Sequence, residues 1–242
     1  MISIVSPVYN SENCLDELVK KIILSTKILS IKIEIILIDD GSDDGSWNKI
    51  IDLKKRFDFI KGIKLNKNYG QHEAIYCGIT YSSGDIMVIM DCDLQDNPEF
   101  IPEMYRKYQE TKKPVIVQHS YADFSIKDRL ISNIFWYFLI IISFKKFSPY
   151  LGNFLLIDKS IKEKYLLTSN IGYLYGDLID QGNEFFFIKK KRSKGARQKT
   201  TYDIYKLTTL AAKLIKKFNI ISKHLKKNIK IKKKNIEIEI II

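Results

Sequence analysis

Apolar and polar positions follow two periods in turn along the first half of the chain. Ile2–Val5 is a short β-branched run that breaks at Pro7-Val8-Tyr9-Asn10. Leu15, Leu18, Val19 and Ile22 then recur at helical spacing, which predicts a helix capped by Ser11. Ile33–Ile38 reads as a strand interrupted only by Glu34, and it ends at Asp39-Asp40-Gly41-Ser42. A helix over 46–57, a strand over 63–65, a helix over 71–81 and a strand over 85–90 follow, the last closed by Asp91-Cys92-Asp93. Pro98 suits the first position of a helix running to Tyr108, and 114–117 is a further strand. Near-continuously apolar strands separated by helices predict an α/β fold, with a Rossmann-like, mostly parallel sheet covered on both faces. Ligands of such sheets bind outside the carboxyl ends of the strands. The polar clusters Pro7–Glu12, Asp39–Gly45, Asn66–Gln71 and Asp91–Asp96 all fall there.

The second half is less regular. Residues 126–147 read as a helix whose charged ends flank the uncharged run 130–144, LISNIFWYFLIIISF. Fifteen residues are fewer than the roughly 20 needed to span a bilayer. A buried core helix and a helix lying in the membrane interface both fit the run, the latter through Phe135, Trp136 and Tyr137. Residues 152–157 read as a strand and 208–218 as a helix, and the tail mixes lysine runs with IEIEIII.

Charge changes this picture through its distribution. The 242 residues hold 40 Lys and Arg against 28 Asp and Glu, a net +12. Residues 185–242 hold 18 against 3, and residues 1–184 hold 22 against 25, so a slightly acidic body carries a basic C-terminal region. Polyanionic partners follow from such an excess. Lys213, Lys216, Lys217, Lys223, Lys226 and Lys227 recur beside Leu210, Leu214, Ile215, Phe218 and Ile221, the pattern of a basic amphipathic helix at a membrane surface. No nucleic-acid module or stacking platform accompanies the lysines, so nucleic acid is not the expected partner. Three cysteines without a C-x-x-C pair suit a reducing cytoplasm, and the N-terminus lacks the basic region of a signal peptide.

The candidate chemistry lies in the acidic body. Asp91 and Asp93, one residue apart at a strand end, can share Mg²⁺ or Mn²⁺ with phosphates completing the shell, and a solvated turn is the other reading. Asp39 and Asp40 suit hydrogen bonds from a ribose or a base edge, or else a turn and helix cap. Tyr9 suits stacking on a base, or packing on the fold. The helix opening at Gln71 offers backbone N–H groups to a phosphate, and His72 there reads as a surface or capping residue. No G-x-x-x-x-G-K-[ST] or G-x-G-x-x-G motif and no Ser/His/Asp pattern is present, which excludes P-loop, dinucleotide and serine-hydrolase readings.

Taken together, SIVSPVYNSE, IILIDDGSDDGS and NKNYGQHEAIYCGITYSSGDIMVIMDCDLQDNPEFIPEM resemble glycosyltransferase family 2 enzymes of the GT-A fold over residues 1–200. The last segment is similar to the polyprenyl-phosphate (dolichol- or undecaprenyl-phosphate) hexosyltransferase branch, with Asn97 in place of a proline. The resemblance implies that Pro7, Tyr9, Glu12, Asp40 and Gly70 line a nucleotide pocket. It implies that Asp91 binds ribose or metal, Asp93 is the main metal ligand, and Gln95 approaches the sugar or acceptor phosphate. LGNFLLIDKSI (151–161) carries Asn153 where the branch has Asp, so no carboxylate base is expected there. RSKGARQKTTY (192–202) loosely resembles the branch's R-x-x-G-x-S-x-Y segment, in which Arg192 and Arg197 clamp a diphosphate or acceptor phosphate, a solvated basic loop being the other reading. Asp177, in YLYGDLID, is either a base for a sugar-hydroxyl acceptor or an exposed helix carboxylate.

The resulting expectation is a metal-dependent, inverting hexosyltransferase using a UDP- or GDP-hexose and a polyprenyl phosphate. It would work as a peripheral protein on the inner face of the cell membrane, with a catalytic domain over 1–204 and a basic helix and tail over 205–242. Transfer to a glycan or lipid-linked sugar hydroxyl, and a non-catalytic membrane-associated subunit of the same fold, are the alternatives.

Overall fold

A computed structural model describes residues 1–119, 151–168, 174–190 and 236–242. Among the described residues eight strands form one mixed, mostly parallel sheet: β1 (Ile2–Val8), β2 (Ile33–Asp39), β3 (Ile60–Leu65), β4 (Ile86–Ile89), β5 (Val115–His119), β6 (Leu151–Asp158), β7 (Phe186–Lys190) and β8 (Ile238–Ile241). Their order is β7-β5-β6-β4-β1-β2-β3-β8. β1 pairs in parallel with β2 and β4, β2 with β3, and β5 with β7, while β6 and β8 run antiparallel to their neighbours.

The near-continuous apolar strands are explained by burial on both faces. Ile35 and Leu37 face a cluster built with Leu15, Leu18, Val19 and Ile22 of α1 (Glu12–Thr26), Ile50 and Leu53 of α2 (Ser46–Arg56), and Ile101 and Met104 of α4 (Ile101–Thr111). Ile36 and Ile38 face the other, built with α3 (Gln71–Tyr81), α5 (Lys159–Thr168) and α6 (Leu174–Asp180). Gly78 lets α3 close on the sheet, since a Cβ there would lie 2.4 Å from Val5 Cγ1.

Three expectations change. β1 runs on through Pro7, although proline removes a ladder donor. Val5 faces β4, its carbonyl accepting from Met90 N–H at 3.1 Å, and Val8 faces β2, accepting from Asp40 N–H at 2.8 Å. Pro7, two residues after Val5, therefore faces the β4 side, past the last pairing of Val5 with Ile89, where no ladder bond is lost. Ser11 precedes α1 but makes no side-chain cap, because its hydroxyl donates to the Tyr9 carbonyl at 2.9 Å. Finally, residues 236–242 do not belong to an appendage with the rest of 205–242. β8 pairs with the β3 edge, and Ile242, the residue after it, packs over Gly62, where a Cβ would lie 2.9 Å from its Cγ1.

The directions of the strands put several chain ends on one edge. β7 is parallel to β5, and β6 and β8 are antiparallel to β4 and β3. The carboxyl ends of β5 and β7 and the beginnings of β6 and β8 thus share the edge at which β1–β4 end. Both 120–150, which holds the apolar run, and 191–235, which holds 16 Lys and Arg against Asp203 alone, are joined to the sheet there. The structural positions of these residues, including Arg192, Arg197 and the lysines of the expected amphipathic helix, lie outside the described residues. Among the described residues no helix is long and apolar enough to cross a membrane.

Candidate active site at the carboxyl edge

Chain order reverses at β1: β2 and β3 extend one side and β4 the other. β1 stays paired with β2 to Val8 and Asp39, but leaves β4 after Val5 and Ile89. The two strands part there, which is the switch-point crevice expected to take a ligand. Pro7 is buried in the β1 wall and Tyr9, 40% exposed, stands at the rim.

The β2 turn is built around buried carboxylates. Asp40 accepts from the N–H groups of Tyr69 at 2.7 Å and Gly70 at 2.9 Å, which fixes the loop before α3. Gly41 has φ +68, and a Cβ on it would lie 2.5 Å from the Lys67 carbonyl carbon, so only glycine lets this turn and loop meet. Gly70, at φ +101, opens α3. Asp39 is fully buried; Oδ1 accepts from Ser42 N–H at 3.2 Å, and Oδ2 has no hydrogen-bond partner among the described residues. Burial pushes both carboxyls above their usual range. Glu12 turns toward α2 and accepts from Gly45 N–H at 3.2 Å, so it braces the turn from beside the crevice.

The β4 turn carries the other carboxylates. Asp91 Oδ1 accepts from Gln71 Nε2 at 2.6 Å, with Asn153 Nδ2 at 3.5 Å, and Asp91 N–H donates to Asp96 Oδ2 at 3.0 Å. Burial, with the Asp96 and Asp93 charges beside it, pushes the Asp91 carboxyl up to about 8. Asp93 accepts from Gln95 N–H at 3.0 Å, and Leu94 between them adopts φ +63. Burial pushes the Cys92 thiol up to about 12, so it is a packing group rather than a nucleophile.

Among the described residues no group of three or more His, Cys, Asp or Glu is arranged to hold a metal. Asp91 and Asp93 still fit a hard divalent cation that takes the rest of its shell from phosphate and water. A buried carboxyl that is raised by like charges is also one that a cation would stabilise in its ionised form.

Asp177 lies on α6 at 6% exposure, beside Leu174, Tyr175 and Leu178 of the core, which corrects the reading of it as an exposed helix carboxylate. Gln71 and Asn153 are the partners of Asp91 that motif reading left without a role. They come from α3 and β6, and only the antiparallel return of β6 beside β4 brings 153 to 91.

Comparison with known proteins agrees with this geometry. The family model of glycosyl transferase family 2 matches residues 3–166. An undecaprenyl-phosphate 4-deoxy-4-formamido-L-arabinose transferase of Salmonella choleraesuis is 43% identical over 110 residues, 45% of this chain and 34% of that protein. The match thus spans about a third of that relative's length. The glucosyl-3-phosphoglycerate synthase of Mycobacterium tuberculosis, solved with Mn²⁺, UDP-glucose and phosphoglyceric acid, superposes with a TM-score of 0.65 at 17% identity, over 90% of this chain and 80% of that one. The mannosyl-3-phosphoglycerate synthase of Rubrobacter xylanophilus gives 0.61 at 11% identity, over 90% and 73%. With a mostly parallel sheet that splits at β1 and β4, acidic turns on both sides of the split, and a family match over most of the described body, the chain belongs to glycosyl transferase family 2 and has the GT-A fold.

Proposed function

We propose that this chain transfers a hexose from a UDP- or GDP-sugar to a polyprenyl phosphate, with inversion, on the cytoplasmic face of the membrane. The observation that carries the reading is the pair of acidic turns, the buried Asp39–Asp40 after β2 and the half-buried Asp91–Asp93 after β4, on opposite sides of one crevice. The first suits a nucleoside and the second its diphosphate. Pro7, Tyr9, Asp40 and Gly70 would line the nucleotide pocket, with Glu12 bracing it. Asp91 and Asp93 would hold Mg²⁺ or Mn²⁺, which supplies charge neutralisation to the departing diphosphate. The UDP-glucose and Mn²⁺ of the mycobacterial synthase and the undecaprenyl phosphate in the Salmonella relative's name support donor, metal and acceptor class.

In the transfer, an acceptor phosphate oxygen attacks the anomeric carbon as the bond from that carbon to the diphosphate oxygen breaks, and the nucleoside diphosphate leaves. A phosphate acceptor is already an anion, so no side chain need remove a proton. The amide of Asn153 beside Asp91 is consistent with this. Gln95 would orient the sugar or the acceptor phosphate, and Arg192 and Arg197 would clamp phosphate oxygens. The segments carrying the apolar run and the basic excess both join the sheet at the site edge, which supports presentation of that edge to an anionic membrane.

Incubating the protein with UDP- and GDP-hexoses, Mn²⁺ and undecaprenyl phosphate should yield a glycolipid detectable by mass spectrometry. Absence of product with every donor, while a nucleotide still binds, would contradict the acceptor assignment. The burial of Asp177 favours a second reading, in which it serves as base for a sugar hydroxyl; Asp177→Asn should abolish transfer only in that case.

A further inference from the structure

The C-terminal strand reaches the site edge beside the loop that carries Tyr69 and Gly70. Ile238 pairs with Leu65, and Glu237, the residue before β8, meets the loop itself. Asn66 donates its backbone N–H to the Glu237 carbonyl at 3.2 Å and its side-chain Nδ2 to Glu237 Oε2 at 2.5 Å. The Glu237 N–H donates to the Tyr69 hydroxyl oxygen at 3.2 Å, and that hydroxyl donates to Asn66 Oδ1 at 2.8 Å. These bonds close a ring through three residues. Tyr69 is also the residue whose backbone N–H is received by Asp40. The loop is therefore held from the sheet by Asp40 and from the chain's last segment by Glu237. Below it, Lys64 pairs with Glu239 at 3.0 Å, and Gly62 and Ile242 exchange backbone bonds at 3.0 and 2.9 Å.

We propose that Glu237 is a positioning residue for the donor pocket: through Asn66 and Tyr69 it keeps the 66–70 loop in the conformation that presents Gly70 to the nucleotide. This rests on the reading of the edge as a nucleotide-sugar site. Gly70 has φ +101, a region glycine reaches freely but does not favour over others, so the loop needs outside restraint to hold it. When the restraint is lost, the nucleotide must order the loop as it binds. The loss appears in KM for the donor rather than in kcat, because no reacting atom has moved.

The test uses Glu237→Ala, Glu237→Gln and Tyr69→Phe in the full chain. Without ligand, amide hydrogen exchange over residues 66–70 should quicken roughly fivefold to tenfold in Glu237→Ala, the scale of one lost hydrogen bond, and at least as much in Tyr69→Phe, which loses both bonds of the hydroxyl. Exchange in α1 should stay unchanged. Glu237→Gln keeps an acceptor for Asn66 and should restore near-native exchange. With Mn²⁺ and either UDP or GDP, Kd should rise by a similar factor in Glu237→Ala and Tyr69→Phe but not in Glu237→Gln, as should donor KM, with kcat within about twofold of the native value. Unchanged exchange in Glu237→Ala overturns the clamp. A loosened loop with unchanged nucleotide affinity overturns its positioning role. Failure of the native chain to bind either nucleotide overturns the reading of the edge, and the proposal with it.

Discussion

At the amino edge of the sheet Asp85 and Asp158 lie below the usual carboxylate range, whereas at the carboxyl edge Asp39, Asp40 and Asp91 lie above it. Asp85 bonds the Met1 ammonium at 3.2 Å. Burial raises Asp158, but the Ile161 N–H at 2.9 Å, the Ser160 hydroxyl and the Tyr108 hydroxyl outweigh it. The amino edge closes in the same manner throughout: Glu34 receives Ser3 and Ser83, and Lys162 donates to Ser82. At Asp39, Asp40 and Asp91 burial dominates, and Asp91 has two further carboxylates beside it, whereas at Asp44 in the same β2 turn burial is outweighed by hydrogen bonds from Ser46 and the Glu12 N–H, which lower it. One residue type is thus held ionised by its partners at the amino edge, while at Asp39, Asp40 and Asp91 burial outweighs the hydrogen bonds that each accepts. Buried charge that the fold does not neutralise is a mark of function.

The sharpest test of that contrast uses a glycine from each edge. Gly41→Ala adds a side chain at positive φ against the Lys67 backbone and should cost about 2–4 kcal/mol. Gly84→Ala puts a Cβ 2.8 Å from Ser3 N and should cost about 2 kcal/mol. Thermal denaturation measures both, and at a temperature where both are folded only Gly41→Ala should lose nucleotide affinity. Next, changing Lys213, Lys216, Lys217, Lys223, Lys226 and Lys227 to Gln should lower affinity for anionic vesicles by on the order of ten-thousandfold, at about 1 kcal/mol per lysine. Substitution is the cleaner test because truncation after residue 204 would also strip β8 from the β3 edge.

Smaller effects distinguish the carboxylates. Without added cation, Asp91→Asn should raise stability by about 1–2 kcal/mol, because a buried like-charged group is removed. The unfolded chain releases the Asp91 proton near the ordinary carboxylate value of 3.8, and the folded chain keeps it to about 8. Stability contributed by this group therefore falls as pH rises across that interval, and the advantage of the Asn variant should vanish in acid. Asp158→Asn should do the reverse, lowering stability by about 1 kcal/mol at neutral pH, with the difference lost as pH falls through the lowered folded value. Equal pH profiles for the two variants would erase the distinction between the edges.

Local signals carried the first half of the chain far. The helix over Gln71–Tyr81 matches its sequence bounds because Gly70 at positive φ opens it and Ser82 leaves it in extended backbone. The acidic turns were legible because each follows an apolar strand. The extension of β1 through Pro7 was not, since proline reads as a break until one knows which side of the strand is unpaired. Nor was the partnership of Asn153 with Asp91, which depends on the direction of β6. The tail read as an appendage because lysines dominate it, yet IEIEIII has the alternation of an edge strand, with Glu239 outward on Lys64.

The central claim is that the carboxyl edge takes a nucleoside diphosphate through a cation held by Asp91 and Asp93. Thermal shift of the native chain and of Asp93→Ala, with UDP or GDP, each with and without Mn²⁺, tests it most directly. The native chain should be stabilised by nucleotide and Mn²⁺ together by about 3 kcal/mol at a hundredfold excess over Kd, and Asp93→Ala should not. Equal stabilisation of the two proteins, or stabilisation indifferent to Mn²⁺, would contradict it.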